Sequence, residues 1–135
     1  MREFILAKDE LIKLVKTLPK DGVVLLSGTL ASGKTTLVQE IAKFHGVKQN
    51  VTSPTFSIMQ SYDGDVKIFH YDIYQNGVSG LVKNGLFENL YEDGLHLVEW
   101  GDEELENMLK IYKIPYTIIN IKTKENLRIY EVKSA

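Results

Sequence analysis

Between Gly28 and Thr36 the chain reads Gly-Thr-Leu-Ala-Ser-Gly-Lys-Thr-Thr, and Gly28, Gly33, Lys34 and Thr35 have the spacing of a phosphate-binding P-loop, G-x-x-x-x-G-K-[ST]. Each position has its own chemistry. The glycines let the backbone turn tightly enough for the amide N–H groups of Thr29, Leu30, Ala31 and Ser32 to converge on an α- and β-phosphate. Lys34 is placed to reach the β/γ oxygens, and the Thr35 hydroxyl suits Mg²⁺. A helix opening over Lys34, Thr35 and Thr36 turns its unpaired N–H groups and positive dipole end toward the same anion. A plain glycine-rich strand-to-helix turn has no need of Lys-Thr at the helix start. The pattern therefore predicts a nucleotide site.

Two carboxylates and one hydroxyl-rich loop could complete it. Asp72 lies in His70-Tyr71-Asp72-Ile73-Tyr74 at a predicted strand end, where it could hold Mg²⁺ directly or through water, or serve as a capping or turn aspartate. Glu99 follows the apolar run Leu95–Val98 and precedes Trp100, as the acid of a Walker B element does, although that acid is usually Asp. It could orient the metal or accept a hydrogen bond from the attacking water; otherwise it is an edge-exposed glutamate. In Thr52-Ser53-Pro54-Thr55-Phe56, Thr55 is the candidate for a switch-like contact with the γ-phosphate and Mg²⁺. His70 reads as packing, and His45 as a surface residue compatible with the dipole at a helix end. Thr123-Lys124-Glu125-Asn126 nearly matches the guanine-reading [NT]-K-x-D motif but lacks the final carboxylate, which favours ATP over GTP.

These residues need a frame. Residues 2–6 predict a strand, and residues 8–18 an amphipathic helix with Leu11, Leu14, Val15 and Leu18 on one face. The unalternating run at residues 23–26 predicts a strand buried on both faces that feeds the loop. A helix over residues 34–45 buries Leu37, Val38, Ile41 and Ala42, with Gly46 as its C-cap. Residues 56–62 and 65–71 predict a hairpin turned at Asp63-Gly64. Residues 75–93 suggest short helical pieces packed on the sheet. A strand at 95–98, an acidic helix at 102–112 and two strands at 116–122 and 127–133 complete a mixed α/β order. The expected fold is a single P-loop NTPase-like domain over residues 1–135: a mixed sheet with an inserted antiparallel hairpin and helices on both faces.

Composition narrows the function classes. Apolar residues make up 44% of 135 and charged residues 25%, as in a soluble globular protein, and no apolar run is long enough to span a bilayer. No signal peptide or Arg-rich presequence is visible, which predicts a cytoplasmic protein. Cysteine is absent, so disulfides, thiol catalysis and Cys-based metal sites are excluded. A net charge of −2 argues against a broad electrostatic footprint for nucleic acid. Only two arginines occur, Arg2 and Arg128, neither within a motif.

The P-loop, Ser53-Pro54-Thr55-Phe56, His70-Tyr71-Asp72-Ile73-Tyr74 and Val98-Glu99-Trp100, in this order and over this length, resemble the TsaE (YjeE) family of bacterial ATPases. The resemblance implies ATP and Mg²⁺ as cofactors, and a role in threonylcarbamoyladenosine modification of tRNAs reading codons that begin with A. It also implies work beside the TsaD transferase and its TsaB partner, with ATP hydrolysis permitting turnover of that complex. By the same resemblance Lys34 is the phosphate lysine and Thr35 a magnesium ligand. Asp72 and Glu99 belong to the metal and catalytic site, Thr55 to the switch-like loop, and Trp100 is a functional neighbour of Glu99. Thr29 and Ala31 stand where the family commonly has an acid and a glycine, and Gln75 where it has an arginine. Two other readings stay open: an ATP-sensing binding module without useful catalysis, and a small-molecule phosphotransferase.

Overall fold

The computed structural model describes residues 2–29, 33–52, 54, 57–75 and 77–134. Seven strands form one sheet: β1 (Arg2–Leu6), β2 (Gly22–Gly28), β3 (Met59–Asp63), β4 (Lys67–Asp72), β5 (Leu95–Glu99), β6 (Tyr116–Lys124) and β7 (Leu127–Ser134). Their spatial order is β1-β7-β6-β2-β5-β4-β3. The middle four, β6, β2, β5 and β4, run parallel, while β7 pairs antiparallel with β6 and β1, and β3 antiparallel with β4. The helices are α1 (Ile12–Val15), α2 (Lys34–Phe44), α3 (Gly77–Lys83) and α4 (Glu103–Ile111).

Strand alternation divides the core between the two faces. On β2, Val24 and Leu26 join Leu14, Leu37, Val38 and Ile41 of α1 and α2 in one cluster. Val23 and Leu25 point the other way, into a second cluster with Val78 and Leu81 of α3 and Leu105 and Leu109 of α4. Since β2 is buried on both faces, it cannot show a period of two, and this explains its unbroken apolar run. The sequence expectation of helices on both faces of a mixed sheet is met, with the hairpin strand β3 at one edge.

Three local expectations are corrected. Residues 8–18 do not make one helix: a 3₁₀ turn at Lys8–Glu10 precedes four α-helical residues. Bonds spanning three residues, from Thr17 N–H to Leu14 O and Leu18 N–H to Val15 O, tighten the end, where the Thr17 hydroxyl also donates to Leu14 O at 2.7 Å. Such a hydroxyl competes with helical bonding, yet Leu11, Leu14 and Val15 are buried as the spacing required. The strand expected from residue 56 starts at Met59, because Ile58 takes φ +68° and donates its N–H to Pro54 O, closing a turn. His45 is not on the surface: it is 5% exposed, because the hairpin tip folds back onto the end of α2. There Asp65 N–H donates to His45 O at 2.7 Å, and a Cβ on Gly64 would come within 2.3 Å of the same oxygen.

Candidate active site

The site lies at the C-terminal ends of the parallel strands, on either side of the strand from which the sheet grows both ways, the usual place for a ligand crevice in α/β sheets. β2 ends at Gly28, and α2 begins at Lys34 behind Gly33, whose φ of +107° and ψ of +20° lie in left-handed space. An L side chain would be strained there, so the second P-loop glycine is required by the backbone. Leu26, Glu99 and Asp72 occupy one row across β2, β5 and β4. Residues opposite each other on adjacent strands face the same side. Both carboxylates therefore face α2.

Lys34 is buried, and its Nζ donates to Gly28 O at 2.9 Å and Thr29 O at 2.8 Å. The ammonium also stands 3.6 Å from the centroid of the Trp100 ring, within range of a cation–π contact. Burial holds this ammonium below the ordinary lysine range, while the charges of Glu99 and Asp72 pull in the opposite direction. Trp100 donates its N–H to Leu26 O at 2.8 Å, the last rung between β5 and β2, and takes φ +68°, so the chain turns out of the strand at this residue. The Tyr74 ring packs with its centroid 4.6 Å from that of Trp100, so the indole meets both the ammonium and a tyrosine.

Glu99 is 3% exposed, which rules out the edge-exposed alternative. The Thr35 hydroxyl lies 3.0 Å from both of its carboxylate oxygens, and His70 Nε2 lies 2.5 Å from Oε2. Asp72 is buried at the next strand end and accepts the Tyr74 N–H at 3.0 Å. That bond closes an Asx turn, so the capping role weighed for Asp72 and its place in the row beside Glu99 coexist. Thr36 is half-buried in the first turn of α2, and the Thr29 side chain is exposed. Leu30, Ala31, Ser32 and Thr55, expected in the nucleotide site, lie outside the described residues.

Hydroxyl and carboxylate oxygens are hard donors that suit Mg²⁺ better than a transition metal. Among the described residues no three His, Cys, Asp or Glu side chains gather into a metal-binding group. With a buried cation, a left-handed glycine and oxygen donors on adjoining strand ends, the residues fit a Mg²⁺–nucleotide.

Sequence reasoning undervalued His70, because its bond to Glu99 depends on the register of β4 against β5. It also passed over His96, which is fully buried, stacked on Phe69 with centroids 4.4 Å apart and bonded to the Tyr71 hydroxyl at 2.8 Å. A histidine within an apolar run was the available signal in both cases. Lys124 closes β6 and Leu127 opens β7. The near-match to a guanine motif is thus a tight hairpin turn, with Glu125 at φ +54°.

The family model described as Threonylcarbamoyl adenosine biosynthesis protein TsaE matches residues 7–130. Among curated relatives, the tRNA threonylcarbamoyladenosine biosynthesis protein TsaE of Treponema pallidum is 34% identical over 88 residues, covering 64% of this chain and 65% of its own. The namesake from Nostoc is 32% identical over 111 residues, covering 82% and 67%. The namesake from Bacillus subtilis is 38% identical over 91 residues, covering 66% and 57%. The chain spans between about half and two-thirds of the length of the first curated relatives it matches. The crystal structure of Bacillus subtilis YdiB superposes with a TM-score of 0.69 at 26% identity, covering 99% of this chain and 86% of that one. With the family model spanning most of its length, the chain belongs to the TsaE family of tRNA threonylcarbamoyladenosine biosynthesis proteins.

Proposed function

We propose that residues 1–135 form a single P-loop ATPase domain in the cytoplasm. Its ATP hydrolysis acts on the TsaD transferase and its TsaB partner to permit turnover in making threonylcarbamoyladenosine on tRNA. The observation that carries this reading is the Thr35–Glu99 contact, 3.0 Å to each carboxylate oxygen, one residue from the buried Lys34. A binding-only loop needs the lysine and the glycines; a buried carboxylate held against the metal-ligand hydroxyl is what hydrolysis adds.

Bound MgATP would supply the phosphoanhydride and a cation to neutralise charge on its oxygens. Lys34 would exchange the carbonyls of Gly28 and Thr29 for phosphate oxygens, Thr35 and Asp72 would hold the metal, and Glu99 would orient the attacking water. Trp100 and Tyr74 would keep bulk water from the lysine. Contact with tRNA, if made, would come through the assembly, since the net charge of −2 gives no basic footprint.

The test is ATP hydrolysis by the chain alone and with TsaD, TsaB and tRNA, for wild type, Lys34→Ala and Glu99→Ala. Lys34→Ala is expected to abolish nucleotide binding. Glu99→Ala is expected to retain binding and lose about 10²-fold or more in turnover, the scale of a positioned acid–base group. Partner-dependent modification that survives Glu99→Ala in full would instead favour the ATP-sensing module, which the tethering of Lys34 to its own loop also suits. ATP consumption that needs an added hydroxyl substrate would favour the phosphotransferase.

A further inference from the structure

We propose that His70 is the positioning residue that holds Glu99 for hydrolysis, an assignment that rests on reading Glu99 as the water-orienting carboxylate. His70 is wholly buried on β4, paired across to Leu97 of β5, and faces α2 from the same side of the sheet as Glu99. Its Nε2 lies 2.5 Å from Glu99 Oε2. Its Nδ1 is buried with no hydrogen-bond partner among the described residues. A hydrogen on Nδ1 would be a buried donor with no acceptor, and a carboxylate oxygen can only accept. The ring hydrogen therefore belongs on Nε2, donated to Glu99.

The two partners of Glu99 differ in permanence. Thr35 is the residue whose hydroxyl oxygen would also bind Mg²⁺, and its single hydrogen can serve only one oxygen of Glu99 at a time. His70 has no such second duty. With Oε2 held by an imidazole that is itself locked in the sheet, the carboxylate keeps its orientation when Thr35 is drawn to the metal, leaving Oε1 for the water. A ring used only for packing would not need a polar contact this short, and leucine would fill the same space without leaving Nδ1 unpaired.

Two measurements test this on the full chain. The first is a long-range nitrogen–proton correlation of the His70 imidazole in the nucleotide-free wild type. A hydrogen on Nε2 is expected, and a ring with none on Nε2 overturns the assignment without reference to activity. The second compares Mg²⁺–ADP affinity with kcat for ATP, in the presence of TsaD and TsaB, for His70→Leu and His70→Gln. His70→Leu is expected to lower kcat about ten- to hundredfold, the usual cost of losing an outer orienting partner, with ADP affinity unchanged. His70→Gln keeps an N–H donor at comparable reach and should recover most of the loss. An unchanged kcat in His70→Leu, an equal loss of ADP affinity, or His70→Gln no better than His70→Leu overturns the proposal. If His70→Leu does not fold, His70→Gln and the ring correlation decide. Glu99→Ala keeps the two readings apart: wild-type hydrolysis in that variant defeats the role of Glu99, whereas an inactive Glu99→Ala beside an unaffected His70→Leu defeats only the positioning role.

Discussion

At Trp100 the chain leaves β5 in left-handed backbone, an arrangement that costs a bulky residue on the order of 1 kcal/mol or more and that the next position makes possible. Gly101 is not in left-handed space; its constraint is room. A Cβ there would lie 2.8 Å from Leu25 Cβ and 3.2 Å from Leu25 Cγ, and Leu25 is a fully buried residue of the strand that feeds the P-loop. Since the nearest atom is a Cβ fixed to the sheet rather than the end of a mobile chain, the clash has to move backbone. Gly101→Ala is expected to destabilise the fold by about 1–3 kcal/mol, the range for overpacking a filled core, and to weaken ADP binding by shifting Trp100 off Lys34. Thermal unfolding with and without ADP checks both, and a variant with unaltered melting temperature defeats the account. Lys34 and Thr35 stand out in the sequence because the spacing of the loop motif carries chemistry by itself, whereas Asp72 and Glu99 stand out only through the family resemblance. Gly101 does not, since its neighbour in space is 76 positions away on another strand.

At the scale of elements, the β4–β5 pair organises both faces of the sheet. On the α2 side it presents His70, Asp72 and Glu99; on the other, Phe69 and Tyr71 of β4 pack around His96 of β5. His96 Nε2 lies 2.8 Å from Glu92 O, and a carbonyl only accepts, so this nitrogen carries the hydrogen and Nδ1 accepts from the Tyr71 hydroxyl. Burial holds His96 below its ordinary pKa, with the Glu92 carbonyl and charge opposing more weakly. The sign follows: with the folded-state pKa depressed, the unfolded chain binds the proton more readily, and stability falls as pH drops below about 6.5, the unfolded value. His96→Phe keeps an aromatic ring in the stack but removes the titration. It should be less stable than wild type at neutral pH, through the unpaired Tyr71 hydroxyl, and the gap should narrow at about pH 5.5 relative to about pH 7.5, on either side of that value. Urea unfolding of both proteins at the two pH values measures this, and a gap that holds or widens contradicts it. Such pairs were hidden from sequence because register sets them, whereas β2, α2 and α4 were legible within a residue or two. α4 had the clearest local marks: Asp102 accepts the Leu105 N–H at 2.9 Å as its N-cap, and Leu105 and Leu109 recur four apart.

Across the whole molecule, the distribution of arginine limits what the chain can do alone. Arg2 lies on β1 and Arg128 on β7, the two strands at the far side of β6 from the loop-bearing β2. Asp72, Glu99 and Thr35 are carried by β4, β5 and α2, which contain no arginine, and Gln75 is an exposed glutamine just beyond Asp72. Transition-state charge on a transferring phosphoryl group is commonly met by an arginine worth about 10³ to 10⁵ in rate. On the proposed reading, α2, β4 and β5 bring together the lysine, the metal ligands and the water-orienting acid, and the arginine would come from elsewhere. Isolated chain should therefore bind ATP with Lys34 dependence yet turn it over slowly, and addition of the TsaD–TsaB pair should raise kcat more than it changes KM. Steady-state hydrolysis at saturating ATP, with the partners titrated in, measures this. If a partner supplies the group, one arginine variant of TsaD or TsaB should abolish the stimulation while leaving the complex assembled. Rapid hydrolysis by the chain alone would instead mean that the strand ends of this one sheet already supply the full complement of charge.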